Sequence, residues 1–327
     1  MKISRRNFLA VACGGIAAPT VIPAAAFAQS YPARPVRLVV SVAAGGTNDV
    51  SARMIAQKLA EAWGQQVFVD NVPGGGEIVG TGQVAKAEPN GYTALFATGA
   101  FTLNPSLHSK LPYDTLVDFA PVTLVASGPH ALTVNPSVPA KNVSELVALL
   151  QANPGKYSFA SSGANTQPRL VGELFKLKFG VDMVQVPFNG GGPAMTSTIG
   201  GHTPIAFTSL GNAAPAIKAG QLRALALTSA KRLAEFPDVP TMAEAGAPEL
   251  VTGSMQGIVL PARTPQPIVD RWHADVVKIV ASPEIRDRLI GFGLEPVANT
   301  PQEFEAWIKA EIDKWGKAMQ AAKIEKI

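Results

Sequence analysis

Two glycine-rich loops are the part of this chain whose residue types and spacing can do chemistry. The first is Val36-Arg37-Leu38-Val39-Val40-Ser41-Val42-Ala43-Ala44-Gly45-Gly46-Thr47-Asn48-Asp49-Val50-Ser51-Ala52-Arg53. It reads as a buried strand that passes through two glycines straight into a helix. That layout aims unpaired helix N–H groups at whatever lies beyond the carboxyl end of the strand. The second loop, Val186-Pro187-Phe188-Asn189-Gly190-Gly191-Gly192-Pro193-Ala194, stands far down the chain. Facing each other, the two would clamp a small anion. No catalytic group accompanies them: Asp49 falls in the first turn of a helix, where a carboxylate caps or satisfies the helix dipole.

Other chemistries fail on spacing. Asn71-Val72-Pro73-Gly74-Gly75-Gly76-Glu77-Ile78-Val79-Gly80 follows a strand, but Val79 stands where a dinucleotide fingerprint needs glycine. Its glycines are expected to shape a turn and cap a helix. No phosphate-loop motif and no G-x-S-x-G elbow occur. His108, His130, His202 and His273 lack metal-ligand spacing. The reading is therefore a non-enzyme with no catalytic residues, no metal and no cofactor.

The front of the chain reads as an export leader. Ser4-Arg5-Arg6-Asn7-Phe8-Leu9 fits the twin-arginine pattern better than an ordinary Sec signal, and an apolar alanine-rich stretch follows. Ala26-Phe27-Ala28 is an A-x-A cleavage site, so residues 1–28 are assigned to a signal peptide and the mature chain to Gln29 onward, in the periplasm. The whole chain has 28 basic and 24 acidic residues. The leader holds Lys2, Arg5 and Arg6 and no acid, leaving 25 basic against 24 acidic residues. No polybasic run remains, which argues against nucleic acid or a membrane surface as partner. The single cysteine, Cys13, leaves with the leader, so the core alone must stabilise the mature fold.

Positioning the loops requires an alternation of strands and helices. Strands are expected at Val36–Val42, Val67–Asp70, Thr93–Ala97, Val122–Val125, Ala131–Val134, Tyr157–Ala160, Met183–Val186, Ile205–Phe207 and Ala224–Leu227. Helices are expected at Asn48–Trp63, Ile78–Lys86, Val143–Gln151, Pro168–Phe179, Ala194–Ile199, Ala214–Ala219, Ile268–Val280, Pro283–Phe292 and Pro301–Ala322. The pattern is α/β, with mostly parallel sheets. Residues 29–327 suffice for two domains, and no linker separates them. The chain is therefore expected to cross twice between domains, at Val122–Val134 and Val251–Leu260. Domain 1 is residues 29–127 plus 253–327, and domain 2 is residues 128–252. In the last helix Phe304, Trp307, Ile308, Ile312, Trp315 and Met319 form a core face and not a ligand cage.

The ordered landmarks resemble the Bug-type periplasmic solute-binding proteins, receptors of tripartite tricarboxylate transporters. They include Tyr31-Pro32-x-Arg34-Pro35, Ala44-Gly45-Gly46-x-x-Asp49, Asn90-Gly91-Tyr92-Thr93, Asp118-Phe119-Ala120-Pro121-Val122, Gly172-Glu173-Leu174-Phe175 and Phe236-Pro237-Asp238-Val239-Pro240-Thr241. The resemblance implies a two-lobed Venus-flytrap fold, type II-like, with the ligand in an interdomain cleft. It further implies a small organic carboxylate, aromatic acids and dicarboxylates included, held largely by backbone N–H groups. By position, the first loop contributes Val42, Ala43, Gly45, Gly46, Thr47 and Asp49. The opposing loop contributes Phe188, Asn189, Gly190, Gly191, Gly192, Pro193 and Ala194. Ser161, Ser162 and Thr166 add hydroxyls, and Thr98, Gly99 and Ala100 part of the floor. The implied partners are membrane permease subunits, with the receptor itself a monomer. A ligand-sensing receptor that signals to a membrane sensor kinase is the alternative reading.

Three departures bear on specificity. Ser41-Val42 stands where an aromatic is common, which should widen the pocket or remove a stacking surface. Arg169, on the first turn of a helix, is expected at the surface. Thr208 replaces an aspartate, which removes an acceptor for an amino group and directs the expectation away from amino-acid ligands.

Overall fold

The computed structural model describes residues 31–163, 166–321 and 324–327. The expected leader lies outside them. Strand β1 (Val36–Val40) is an almost continuous apolar run, and Val36, Leu38, Val39 and Val40 are all buried. Such a strand must be covered on both faces. It pairs in parallel with β2 (Val67–Asn71) and β3 (Thr93–Thr98). Helix α1 (Thr47–Trp63) covers one face with Ile55, Leu59 and Trp63 and ends at Gly64 in the left-handed conformation. Helices α2 (Ile78–Ala85) and α3 (Gly99–Leu107) follow β2 and β3. Helix α3 was not legible because Gly99 and Pro105 interrupt its pattern.

The chain then runs through β4 (Phe119–Val134), a single strand of 16 residues where two short strands were expected. The second half of the fold contains α4 (Val143–Gln151), β5 (Ser158–Ser161), α5 (Gln167–Phe179), β6 (Val184–Pro187), α6 (Gly191–Ile199), β7 (Ile205–Ser209), α7 (Leu210–Lys218) and β8 (Arg223–Leu227). Of the two cap candidates for α4, Asn142 is used: its side chain accepts from Glu145 N–H at 2.8 Å. The chain returns through β9 (Gly253–Pro261) to α8 (Gln266–Ala281), α9 (Pro283–Gly291), β10 (Glu295–Pro296) and α10 (Pro301–Ala321).

All strands join one sheet in the order β2-β1-β3-β9-β4-β7-β5-β6, with β8 and β10 also paired to β4. The outer strands are parallel, as expected. The centre is not: β9 is antiparallel to both β3 and β4, and β4 is antiparallel to β7 and β8. The expectation of mostly parallel sheets is corrected here, because the two crossing strands run in opposite directions between the halves and pair with each other and with the strands on either side. Phe119–Pro129 of β4 pairs with β9, and His130–Val134 pairs with β7. Each half has its own apolar core, one around Leu38, Ile55 and Trp272, the other around Leu132, Phe159 and Phe207. Helix α10 serves both halves. Phe304 and Ile308 pack with the first, Trp315 and Met319 with the second.

Candidate functional site

The helix starts, and not the side-chain charges, define the site. Helix α1 begins after Gly46 and α6 after Gly190, and neither N-cap residue supplies a side-chain acceptor. The opening N–H groups of both helices are thus left for another partner. Helix α6 starts three residues earlier than the apolar pattern suggested, so Gly191, Gly192 and Pro193 of the second loop are its first turn. The loops touch. Ala43 N–H donates to Asn189 O at 3.1 Å, and a Cβ placed on Gly192 would lie 3.3 Å from the Gly45 carbonyl carbon. Asn212 of α7 adds a second link: its Oδ1 accepts from Thr47 N–H at 2.7 Å and from Thr47 Oγ1 at 2.8 Å.

Beneath this contact lie two small cavities of about 40 Å³ and about 200 Å³ that share Val42, Glu77, Ser162 and Thr166. The smaller is lined from the starts of α1 (Gly46, Thr47, Asn48), α3 (Thr98, Gly99, Ala100), α5 (Thr166, Gln167, Pro168), α6 (Gly191) and α7 (Ser209, Asn212). Five helix N-termini therefore converge on one space, joined by Glu77 at the start of α2. Among the described residues no lysine or arginine lines either cavity. The helix dipoles supply the favourable field for an anion. A larger cavity, of about 960 Å³, runs along Ser127–Pro129 and Thr252–Gly253 and holds none of the loop residues.

The structure brings together most of the residues assigned from the sequence. Val42, Gly46, Thr47, Thr98, Gly99, Ala100, Ser162, Thr166 and Gly191 line the first cavity; Phe188 and Asn189 line the second. The rest act from behind. Ala43, Gly190 and Gly192 form the loop contact. Ser161 Oγ donates to Gly163 O at 3.0 Å and accepts from Gln185 Nε2 at 2.8 Å. Ala194 belongs to the apolar core. Thr208 is fully buried, accepts from Asn212 Nδ2 and lines neither cavity. Arg169 is half-buried and also outside the lining.

Asp49 braces the first loop. One carboxylate oxygen accepts from Gly45 N–H at 3.0 Å, the other from Asn71 Nδ2 at 2.9 Å, and Arg53 pairs with both. Asn71 also donates to Val42 O at 3.0 Å. Burial would raise this carboxyl, but the hydrogen bonds from Arg53, Gly45 and Asn71 outweigh it and hold Asp49 below the usual carboxylate range.

Glu77, His130, Gln167 and Asn212 were not identified from the sequence. His130 is buried on β4 at the crossing, and burial pushes its ring down to about 3, so it is neutral. The Gln167 amide is satisfied with its nitrogen donating to Gly253 O at 3.0 Å and its oxygen accepting from Trp315 Nε1 at 2.8 Å. It ties α5 to β9 and α10. Only Glu77 left a trace: the Gly74-Gly75-Gly76 turn ahead of it was legible, and all three glycines have positive φ. Burial pushes the Glu77 carboxyl up to about 7, against hydrogen bonds from Thr98 Oγ1 at 2.6 Å and Ser41 Oγ at 3.3 Å. Ser41 thus supports an acid where sequence reasoning expected only a wider pocket or a lost stacking surface.

A carboxyl raised on folding binds its proton more tightly in the native state, so stability is lost as pH rises through the window from about 4.5 to about 7. Glu77→Gln is therefore expected to stabilise the protein by up to about 3 kcal/mol at pH 8 and by little at pH 4. Urea unfolding at the two pH values measures this; equal effects at both would remove the titration argument.

Comparison with known proteins places this geometry. The model of the tripartite tricarboxylate transporter family receptor matches residues 51–324. The chain is 38% identical over 302 residues to a UPF0065 protein of Bordetella bronchiseptica, covering 92% of this chain and 89% of that protein. Its fold is similar to the periplasmic binding protein BugD, with a TM-score of 0.88 and 32% identity over 91% of this chain and 100% of that one. It is equally similar to R. palustris Rpa4515 with adipate, at TM-score 0.88, 32% identity and the same coverage. The two halves of the sheet are the lobes of an α/β periplasmic binding protein fold, which binds solutes and is not an enzyme. The chain belongs to the tripartite tricarboxylate transporter receptor family.

Proposed function

We propose that this protein is a periplasmic receptor that captures a small organic carboxylate, aromatic acids and dicarboxylates included, and delivers it to the membrane permease subunits of a tripartite tricarboxylate transporter. The observation that carries the reading is the convergence of five helix N-termini on a cleft without lysine or arginine among its described residues. A carboxylate there gains charge-assisted hydrogen bonds from backbone donors, each contributing about 1.5–3 kcal/mol. The adipate complex of a relative with the same fold supports the ligand class. Residues 1–28 act as the export leader, cleaved near Ala28 and Gln29, and the mature receptor works as a monomer.

In this reading residues 29–127 with 253–327 and residues 128–252 are the two bodies that open and close. The Ala43–Asn189 and Thr47–Asn212 bonds latch the closed form. Removing one hydrogen-bonding partner costs about 0.5–1.5 kcal/mol per bond. Asn212→Ala is thus expected to speed ligand release about tenfold in stopped-flow experiments, with little change in the association rate. An unchanged release rate would show that Asn212 is no latch.

Deletion of the gene tests the transport role. Uptake of the bound carboxylate should fall to background and return with the wild-type gene but not with Gly191→Val. Uptake that persists without the gene would remove the transport role and leave binding alone.

A further inference from the structure

Glu77 is a charged-type side chain that the cleft function described above does not explain. It is 8% exposed, yet lines both cavities. Its backbone sits at φ 74, the fourth consecutive positive φ after Gly74, Gly75 and Gly76. That conformation is unfavourable for a residue with a Cβ, and strain of this kind collects at ligand sites. Both Thr98 Oγ1 and Ser41 Oγ donate to one carboxyl oxygen, Oε2. Among the described residues Oε1 has no hydrogen-bond partner.

Nothing among the described residues compensates the acid. No lysine or arginine lines the cleft there, and His130 is neutral. From the elements packed around Glu77 come Ser41 beyond β1, Thr98 at the end of β3, and Ser162 and Thr166 ahead of α5. A further titratable neighbour is Tyr113, itself held neutral by burial. A glutamine would donate to an oxygen of the ligand without the cost of burying an ionisable acid. A carboxyl retained at this cost fits a ligand that brings a cation to meet it.

We propose that Glu77 makes this cleft selective for a carboxylate that also bears a protonated amino nitrogen, with Oε1 accepting from the ammonium while the helix N-termini hold the carboxylate. The inference rests on the carboxylate-receptor reading and adds the second pole of the ligand. The bound state is then neutral: one carboxylate on the helix starts, one ammonium on Glu77. It reverses the expectation drawn from Thr208. Thr208 lies outside the cavities, so the residue type there says nothing of the ligand, and the acceptor comes from the other half of the fold.

The test is calorimetry on the full chain, unfolded and refolded to strip carried-over ligand, with three matched pairs: L-aspartate and succinate, L-glutamate and glutarate, 4-aminobutyrate and butyrate. At pH 7.5 the amino-bearing member of at least one pair should bind ten or more times tighter than its partner, with no buffer-dependent proton uptake. Glu77→Gln, which keeps side-chain volume, should abolish that preference by lowering affinity for the amino-bearing member at least tenfold relative to its deaminated partner. Two results would overturn the proposal and keep the receptor: deaminated acids binding as tightly with one proton taken up, or Glu77→Gln retaining the amino preference. No binding by any of the six would overturn both.

Discussion

Gly191→Val should weaken ligand capture roughly a hundredfold while both lobes stay folded. A Cβ at Gly191 would overlap the Asn212 side chain. Asn212 cannot step aside without loss. Its Oδ1 holds Thr47 across the cleft, and its Nδ2 donates to Ser209 Oγ at 2.8 Å and to Thr208 Oγ1 at 3.3 Å. Overpacking costs about 1–3 kcal/mol and each lost hydrogen bond about 0.5–1.5 kcal/mol. About 3 kcal/mol is close to a hundredfold in an equilibrium constant. The valine fits only when Asn212 also leaves Ser209 and Thr208, which lie in the same half of the fold as Gly191, so the melting temperature of the unliganded variant should fall by a few degrees with the chain still folded. Calorimetry and a melting curve together separate these effects. Wild-type affinity in the variant would mean that the Asn212–Thr47 latch does not contribute to capture.

Asp49→Ala acts on the other loop and should cost both stability and affinity. The substitution leaves Gly45 N–H without its side-chain acceptor and takes one of two acceptors from Asn71 Nδ2 and the ion pair from Arg53, at a site that is 3% exposed. Hydrogen bonds to charged groups contribute about 1.5–3 kcal/mol each, so a loss of about 3 kcal/mol is expected after the loop relaxes. The melting temperature should fall by several degrees with the chain still folded at 25 °C, and affinity should fall at least tenfold. Asp49→Asn keeps an acceptor and should recover part of both. Lost affinity with unchanged melting would make Asp49 a direct ligand contact and not a brace.

Much of this site was legible because backbone, and not side chains, builds it. The Gly45-Gly46 and Gly190-Gly191-Gly192 runs announce helix starts without side-chain caps, and helical periodicity after Asn48 confirms the first of them. The starts of α3 and α7 were harder to read. Proline and glycine inside α3 hide its period, and Gly211 and Asn212 interrupt the apolar pattern of α7 ahead of Ala213 although the helix begins at Leu210. Residues that act through long-range contact left no local trace. Asn212 meets Thr47 across 165 positions, and Gln167 reaches Trp315. The antiparallel centre was hidden for the same reason: nothing within Val251–Leu260 reveals that its partner is the earlier crossing strand. Glu77 was visible only as a residue within a failed nucleotide motif, because its burial and the hydroxyls that meet it are properties of the fold.

The central claim is that a small carboxylate is captured between the two glycine loops. A thermal-shift screen of the refolded protein against small carboxylates, aromatic and amino-bearing acids included, tests it most directly when run in parallel on Gly191→Val. A ligand that binds the native state alone raises the melting temperature by mass action. The account predicts at least one carboxylate that stabilises the wild-type protein by several degrees and leaves the variant unmoved. A flat screen, or an equal rise in both proteins, would contradict it.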